Sequence, residues 1–177
     1  MKIYEDVLPS KLLSKCIEEL RSSTDAQVWG ISNLSWDDDL KVGLVGNVCQ
    51  RILPEETALE VNKALKKYFS KINNKFVYQY YIWNNMAGIS NHNDRHVSLG
   101  ATLYLNDVWD PNWGGLFVWK DKNEKKEYKL NTICPKQNML VINDEKEMHL
   151  VTPIAPTIPY IRITIQIWNE HPTAAKV

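Results

Sequence analysis

Apolar residues recur along the first part of the chain at spacings of three and four. From Ser10, the positions Leu12, Leu13, Cys16, Ile17 and Leu20 fall on one stripe, with Glu18, Glu19 and Arg21 outside it. This predicts an amphipathic helix that Ser10 is placed to cap. A second helix is predicted after Leu53 and Pro54, because proline suits a first helical turn; Ala58, Val61, Leu65, Tyr68, Phe69 and Ile72 share its apolar face. After about residue 75 the period shortens to two. The runs FVYQYYIW, VSLGATLYL, LFVWK, MLVIN and YIRITIQIW follow one another with turn signals between them, the alternation expected of strands with one buried face. Two helices followed by a succession of short strands predict a mainly β fold, a barrel or jelly roll with the helices packed outside one sheet.

Two of the strands can be read face by face. Along IRITIQIW, Ile161, Ile163, Ile165 and Ile167 point one way and Arg162, Thr164, Gln166 and Trp168 the other. Along VSLGATLYL, Val97, Leu99, Ala101, Leu103 and Leu105 oppose Ser98, Gly100, Thr102 and Tyr104. An antiparallel sheet with one face in water explains this division. An arginine and a tyrosine among small polar residues also suit the inside of a barrel that holds an anion.

The 177 residues are 44% hydrophobic and 24% charged, which suits one globular domain over 1–177, with helical support over 1–74 and a jelly-roll core over 75–168. The 21 basic and 21 acidic residues cancel. The one dense charge run, KDKNEKKEYK at 120–129, mixes both signs and reads as a solvated hairpin, so no nucleic-acid partner is expected. Cys16, Cys49 and Cys134 lie far apart with no C-x-x-C, which predicts free thiols in a reducing compartment. The segment MKIYEDVLPSKLLSKCIEEL interrupts its apolar residues with charges, unlike a signal peptide or membrane span. The expectation is a soluble cytoplasmic protein with no membrane partner.

Chemistry enters with His92 and Asp94, an H-x-D immediately before a strand, and with His149 just after MLVIN. Arg162 follows His149 across LVTPIAPTIPYI, whose Pro153, Pro156 and Pro159 stiffen the connection. Two imidazoles and one carboxylate on a rigid sheet form the facial triad expected for non-haem Fe(II). A fixed guanidinium nearby can grip a second carboxylate through parallel hydrogen bonds. A hydrolytic zinc site built on His92 and His96 is the rival, but GISNHNDRH carries Gly, Ser and Asn where a helix wants formers and has no Glu to serve as base. His96 is then exposed or packed beside the site, and His171 exposed. A non-catalytic jelly-roll protein that grips a ligand or metal in a polar interior is a further alternative.

These residues resemble the Fe(II)- and 2-oxoglutarate-dependent dioxygenases, and within them the prolyl-hydroxylase branch, over roughly residues 76 to 168. The resemblance rests on the H-x-D of HND, LYLND, WDPNWGGLFVW, the later His of MHLVTPI and RITIQIW, in that order. It implies a double-stranded β-helix, with His92, Asp94 and His149 as iron ligands and catalytic centre. Arg162 would bind the distal carboxylate of 2-oxoglutarate, Tyr104 would add a hydroxyl or line its pocket, and Thr164 would support the same carboxylate. Tyr81 or Trp83 would line the cosubstrate pocket. The implied cofactors are Fe(II), 2-oxoglutarate and O2, with succinate and CO2 released as a C–H bond is hydroxylated. A prolyl residue of a protein or peptide is the substrate implied; a free amino acid or other small molecule is the alternative. Trp83, Trp109, Trp113 and Trp119 cluster in sequence around the presumed mouth, where indoles stack on a ring or peptide, although core packing also accounts for them.

Overall fold

The computed structural model describes residues 1–22, 29–34, 36, 38–42, 46–69, 76–94, 97–120, 129–144 and 147–170. Its strands are β1 (Lys2–Tyr4), β2 (Gly30–Ile31), β3 (Val48–Ile52), β4 (Phe76–Trp83), β5 (Ile89–His92), β6 (Val97–Tyr104), β7 (Phe117–Trp119), β8 (Asn131–Ile133), β9 (Leu140–Asp144), β10 (His149–Val151) and β11 (Arg162–Glu170). The helices are α1 (Ser10–Ser22), α2 (Asp38–Lys41) and α3 (Glu55–Leu65). All pairings are antiparallel: one sheet runs β1-β9-β6-β11-β4-β3-β2 and a smaller one β5-β10-β7-β8.

The larger sheet is covered on both faces, by different elements. On one side Leu12, Cys16 and Leu20 of α1 and Val61 and Leu65 of α3 pack with Tyr80, Leu103, Leu140, Ile165 and Ile167 in one buried cluster. Each such aliphatic side chain contributes about 1.5–3 kcal/mol by leaving water. On the other side Tyr81, Trp83, Tyr104 and Val141 meet Phe117 and Val151 of the smaller sheet. The alternation read along β11 therefore holds from Arg162 onward. Ile161 departs from it: it precedes the strand, is 44% exposed, and its carbonyl accepts a hydrogen bond from the Asn106 amide.

Both helices form where the apolar stripes place them. Ser10 opens α1 instead of capping it, because the Pro9 carbonyl accepts from the Leu12 and Leu13 amides. α3 begins directly after Pro54 and continues as a short 3-10 turn over Lys66–Tyr68. The region expected to be helical support also supplies β1, β2 and β3, strands of two to five residues that are too short to show alternation in the chain. Asn138 ties the N-terminal segment to the sheet: its side chain accepts from Leu8 N–H at 2.9 Å and donates to the Leu8 carbonyl at 2.8 Å.

Cys16, Cys49 and Cys134 are free thiols. Among the described residues no helix is long and apolar enough to cross a membrane. Residues 121–128, most of the charge run, lie outside the described residues, as do Ile72, His96 and His171.

Candidate functional site

The two histidines of the predicted triad sit on neighbouring strand ends. β5 closes on His92, β10 opens on His149, and the two are paired in register. The turn from β5 to β6 carries Asp94, fixed by its carbonyl accepting from Val97 N–H at 3.0 Å. Asp94 Oδ1 lies 3.6 Å from His92 Nε2, and Oδ2 lies 3.6 Å from His149 Nε2. One ligand atom from each residue falls within 4.8 Å of the others.

Both imidazoles are held in one tautomer. His92 Nδ1 faces the Ser90 carbonyl at 2.7 Å and His149 Nδ1 faces the Glu147 carbonyl at 2.8 Å. A carbonyl only accepts, so each Nδ1 carries a proton, and each Nε2 is the ring nitrogen turned toward Asp94. Phe117 stacks on the His149 ring at 5.0 Å and 13°. Burial alone would raise the Asp94 carboxyl, but the hydrogen bond to His92, the two imidazoles and the Asn143 amide outweigh it and hold the group below the usual carboxylate range. Burial pushes His149 down, against the pull of the Asp94 charge. A charged carboxylate and a neutral imidazole are the forms in which these groups bind metal. Two nitrogens and one oxygen bordering a cavity fit a non-haem Fe(II) centre.

That cavity, of about 250 Å³, lies between the sheets. Ile89, Phe117 and Val151 wall it from the smaller sheet, and Trp36 and Leu40 also border it. Its floor is the inner face of the larger sheet, ordered by register into rungs. On that face Trp83 opposes Arg162, Thr164 lies between Tyr81 and Tyr104, Gln166 opposes Thr102, and Gly100 lies between Asn143 and Trp168; Tyr81, Trp83, Thr102, Asn143, Gln166 and Trp168 line the cavity, and Arg162, Thr164, Tyr104 and Gly100 do not. Tyr81 and Trp83 both line the cavity. The Tyr81 hydroxyl is 3.0 Å from Ser32 Oγ, and burial raises its pKa.

Arg162 is fully buried, packed against Trp83, with its guanidinium 4.8 Å from that ring and 5.1 Å from the Tyr104 ring. Nη2 reaches the Tyr104 hydroxyl at 3.5 Å. Its Nε and Nη1 have no hydrogen-bond partner among the described residues. A buried guanidinium with two idle donor atoms beside a tyrosine hydroxyl has the donors that a carboxylate needs. Thr164 is engaged elsewhere, accepting from Trp83 Nε1 and Gln166 Nε2, each at 3.4 Å.

The four tryptophans that cluster in sequence divide between the cavity and the packing around it. Of Trp83, Trp109, Trp113 and Trp119, only Trp83 is on the cavity wall, joined there by Trp36 and Trp168. Trp109 donates to the Gly114 carbonyl at 2.9 Å and meets Trp113 edge-on at 5.5 Å, and Trp113 stacks on Tyr160 at 4.9 Å. Trp119 opposes His149 from β7. Gly114 and Gly115, at φ of 72° and 63°, turn this segment in a way that residue spacing does not reveal. Sequence reasoning also passed over Asn143, whose amide donates to Asp94 Oδ2, and Gly100 beside it.

Residues 76–170 match the family model of the 2OG-Fe(II) oxygenase superfamily, and the chain belongs to that superfamily. Its members use Fe(II), 2-oxoglutarate and O2. No curated protein sequence matches. Among solved structures, a prolyl-4-hydroxylase from Pseudomonas putida shares the fold with a TM-score of 0.70 at 16% identity, covering 96% of this chain and 91% of that one. A prolyl hydroxylase from Trichoplax adhaerens, in complex with a hypoxia inducible factor oxygen degradation domain peptide fragment, has a TM-score of 0.69 at 15% identity over 96% and 82%. HygX from Streptomyces hygroscopicus, with nickel and 2-oxoglutarate bound, has a TM-score of 0.56 at 11% identity over 94% and 82%.

Proposed function

We propose that the protein is a 2-oxoglutarate- and O2-dependent hydroxylase in which His92, Asp94 and His149 hold the iron and Arg162, with Tyr104, anchors the distal carboxylate of 2-oxoglutarate. The observation that carries this reading is the pairing of a three-donor cluster with a buried guanidinium whose Nε and Nη1 lack partners. Fe(II), when bound, supplies the site for oxygen activation coupled to decarboxylation of 2-oxoglutarate to succinate and CO2. The chain's residues do the rest. The Ser90 and Glu147 carbonyls aim both Nε2 atoms, and Trp83, Trp168 and Phe117 keep water from the reacting centre. Thr164 is read as supporting the carboxylate end through Trp83, which donates to it, and Tyr81 as lining the same pocket.

The substrate group proposed is a prolyl residue of a protein or peptide. The cavity lining is mostly apolar and aromatic, and Asp94 is its single carboxylate, with no Lys or Arg among the described lining residues. An uncharged ring suits such walls. The same walls accept an apolar small molecule, which is the second reading.

Asp94→Ala tests the metal site: it is expected to abolish 2-oxoglutarate turnover while the protein still melts cooperatively. Full turnover in that variant rejects the ligand set. A mass gain of one oxygen on a proline-containing peptide, with matched succinate release, is the expected substrate result. Oxygen transfer to free small molecules alone would select the second reading.

A further inference from the structure

The rung Asn143–Gly100–Trp168 crosses β9, β6 and β11, and its middle position has no side chain. Its three residues stand on the cavity side of the larger sheet, next to the turn that carries Asp94. Asn143 is 3% exposed, and its amide donates to Asp94 Oδ2. A Cβ placed on Gly100 would stand 2.5 Å from that same Oδ2, 3.0 Å from Trp168 Cζ3 and 3.1 Å from Asn143 Nδ2. Gly100 has no left-handed backbone to explain it, since the positive-φ glycines among the described residues are Gly114 and Gly115. What the missing side chain provides is a seat for the carboxylate, between an amide and an indole.

We propose that Asn143 and Gly100 are positioning residues for Asp94: together they hold Oδ2 in the rung and so present Oδ1 to the metal as a single-oxygen ligand. This rests on the assignment of His92, Asp94 and His149 as the metal ligands. A carboxylate on a turn can rotate to give a metal one oxygen or two. The two oxygens lie equally far from the histidines, Oδ1 3.6 Å from His92 Nε2 and Oδ2 3.6 Å from His149 Nε2, so it is the Asn143 hydrogen bond on Oδ2 that distinguishes them and leaves Oδ1 with its lone pairs free. The clamp also joins the sheets, because Asp94 leaves β5 of the smaller sheet and Asn143 belongs to β9 of the larger.

The test uses Asn143→Leu, which keeps the branched shape and removes the donor, and Gly100→Ala, which keeps the donor and fills the seat. Metal-free protein is titrated with Co(II), following tryptophan quenching and the visible bands of the bound ion, beside a melting curve of each metal-free variant. Outer hydrogen-bond partners of metal ligands are typically worth 10–100-fold in metal affinity, so a loss of about that size is expected in each variant. The Co(II) bands should change in shape, and the affinity loss should exceed what the fall in melting temperature of each metal-free variant accounts for. Co(II) affinity within threefold of wild type, with unchanged bands, in whichever variants fold overturns the proposal. An affinity loss that only mirrors the unfolded fraction overturns it too. Wild-type protein that takes up no Co(II) refutes the ligand assignment itself, a separate failure.

Discussion

Replacing Arg162 by methionine should move fold stability and cosubstrate affinity in opposite directions. The guanidinium is fully buried and has no hydrogen-bond partner for Nε and Nη1 among the described residues; burial depresses its pKa, opposed by Tyr104. Two ring contacts recover about 0.5–2 kcal/mol each, less than the several kcal/mol that an uncompensated buried charge costs. Methionine fills similar space without charge, so the ligand-free variant should gain about 1–3 kcal/mol. At about 2–4 °C per kcal/mol for a chain of this size, its melting temperature rises by about 2–12 °C. Cosubstrate binding loses the charge-assisted pair, about 1.5–3 kcal/mol per hydrogen bond, which for two bonds is about 10²–10⁴-fold in affinity. The residual binding would be what the metal supplies through the other end of the molecule. Calorimetric titration of 2-oxoglutarate into metal-loaded protein, beside differential scanning of the ligand-free protein, reads both quantities. A variant that melts well below wild type and binds 2-oxoglutarate equally well would show Arg162 to be a structural arginine and end this reasoning.

Asn138→Ala removes two buried hydrogen bonds to Leu8 and places alanine at φ 61°, so it should cost about 2–5 kcal/mol in urea unfolding. Asn138→Gly, freed of the backbone strain, should fall between it and wild type, and wild-type stability in both would contradict the tie. Cys16 is pushed up to about 11 from 9.0, by burial first and by the nearby Glu19 charge, with Tyr80 opposing as a hydrogen-bond partner. Its folded pKa is the higher one, so the stabilisation is intact below pH 9 and is lost as pH rises toward 11, by about 2–3 kcal/mol. Cys16→Ser should flatten that alkaline decline in urea melts at pH 8 and pH 11, and an identical decline would assign it to other groups, such as the buried Tyr80.

Legibility along the chain followed element length. β4, β6 and β11 run for eight or nine residues, long enough for a period of two to declare itself, and their buried and cavity-facing sides were separable from residue type alone. β5 and β10 have four and three residues, and each carries one of the triad histidines. Strands so short show no alternation, so these histidines were found from the H-x-D pattern and the family resemblance, and their exact placement was not. The N-terminal strands were hidden for the same reason. Trp109 and Trp113 illustrate a different limit: closeness in sequence to the site suggested a shared surface, but two glycines with positive φ redirect the chain and pair these indoles with each other and with Tyr160.

What no local pattern carries is register. Asn143 and Gly100 are ordinary residues on ordinary strands until β9 pairs with β6 at one offset and β11 with β6 at another, which brings an amide, a gap and an indole into one row. A slip of one residue in either pairing would turn the alternate face of that strand toward the cavity. Two features oppose such slips: Ile163, Ile165 and Ile167 are committed to the cluster under α1 and α3, and Leu99, Ala101 and Leu103 of β6 join them there. The helices thus act on the site at a distance. By burying one face of the larger sheet they hold the register of the other, and so keep the carboxylate seat opposite the strand ends where His92 and His149 wait.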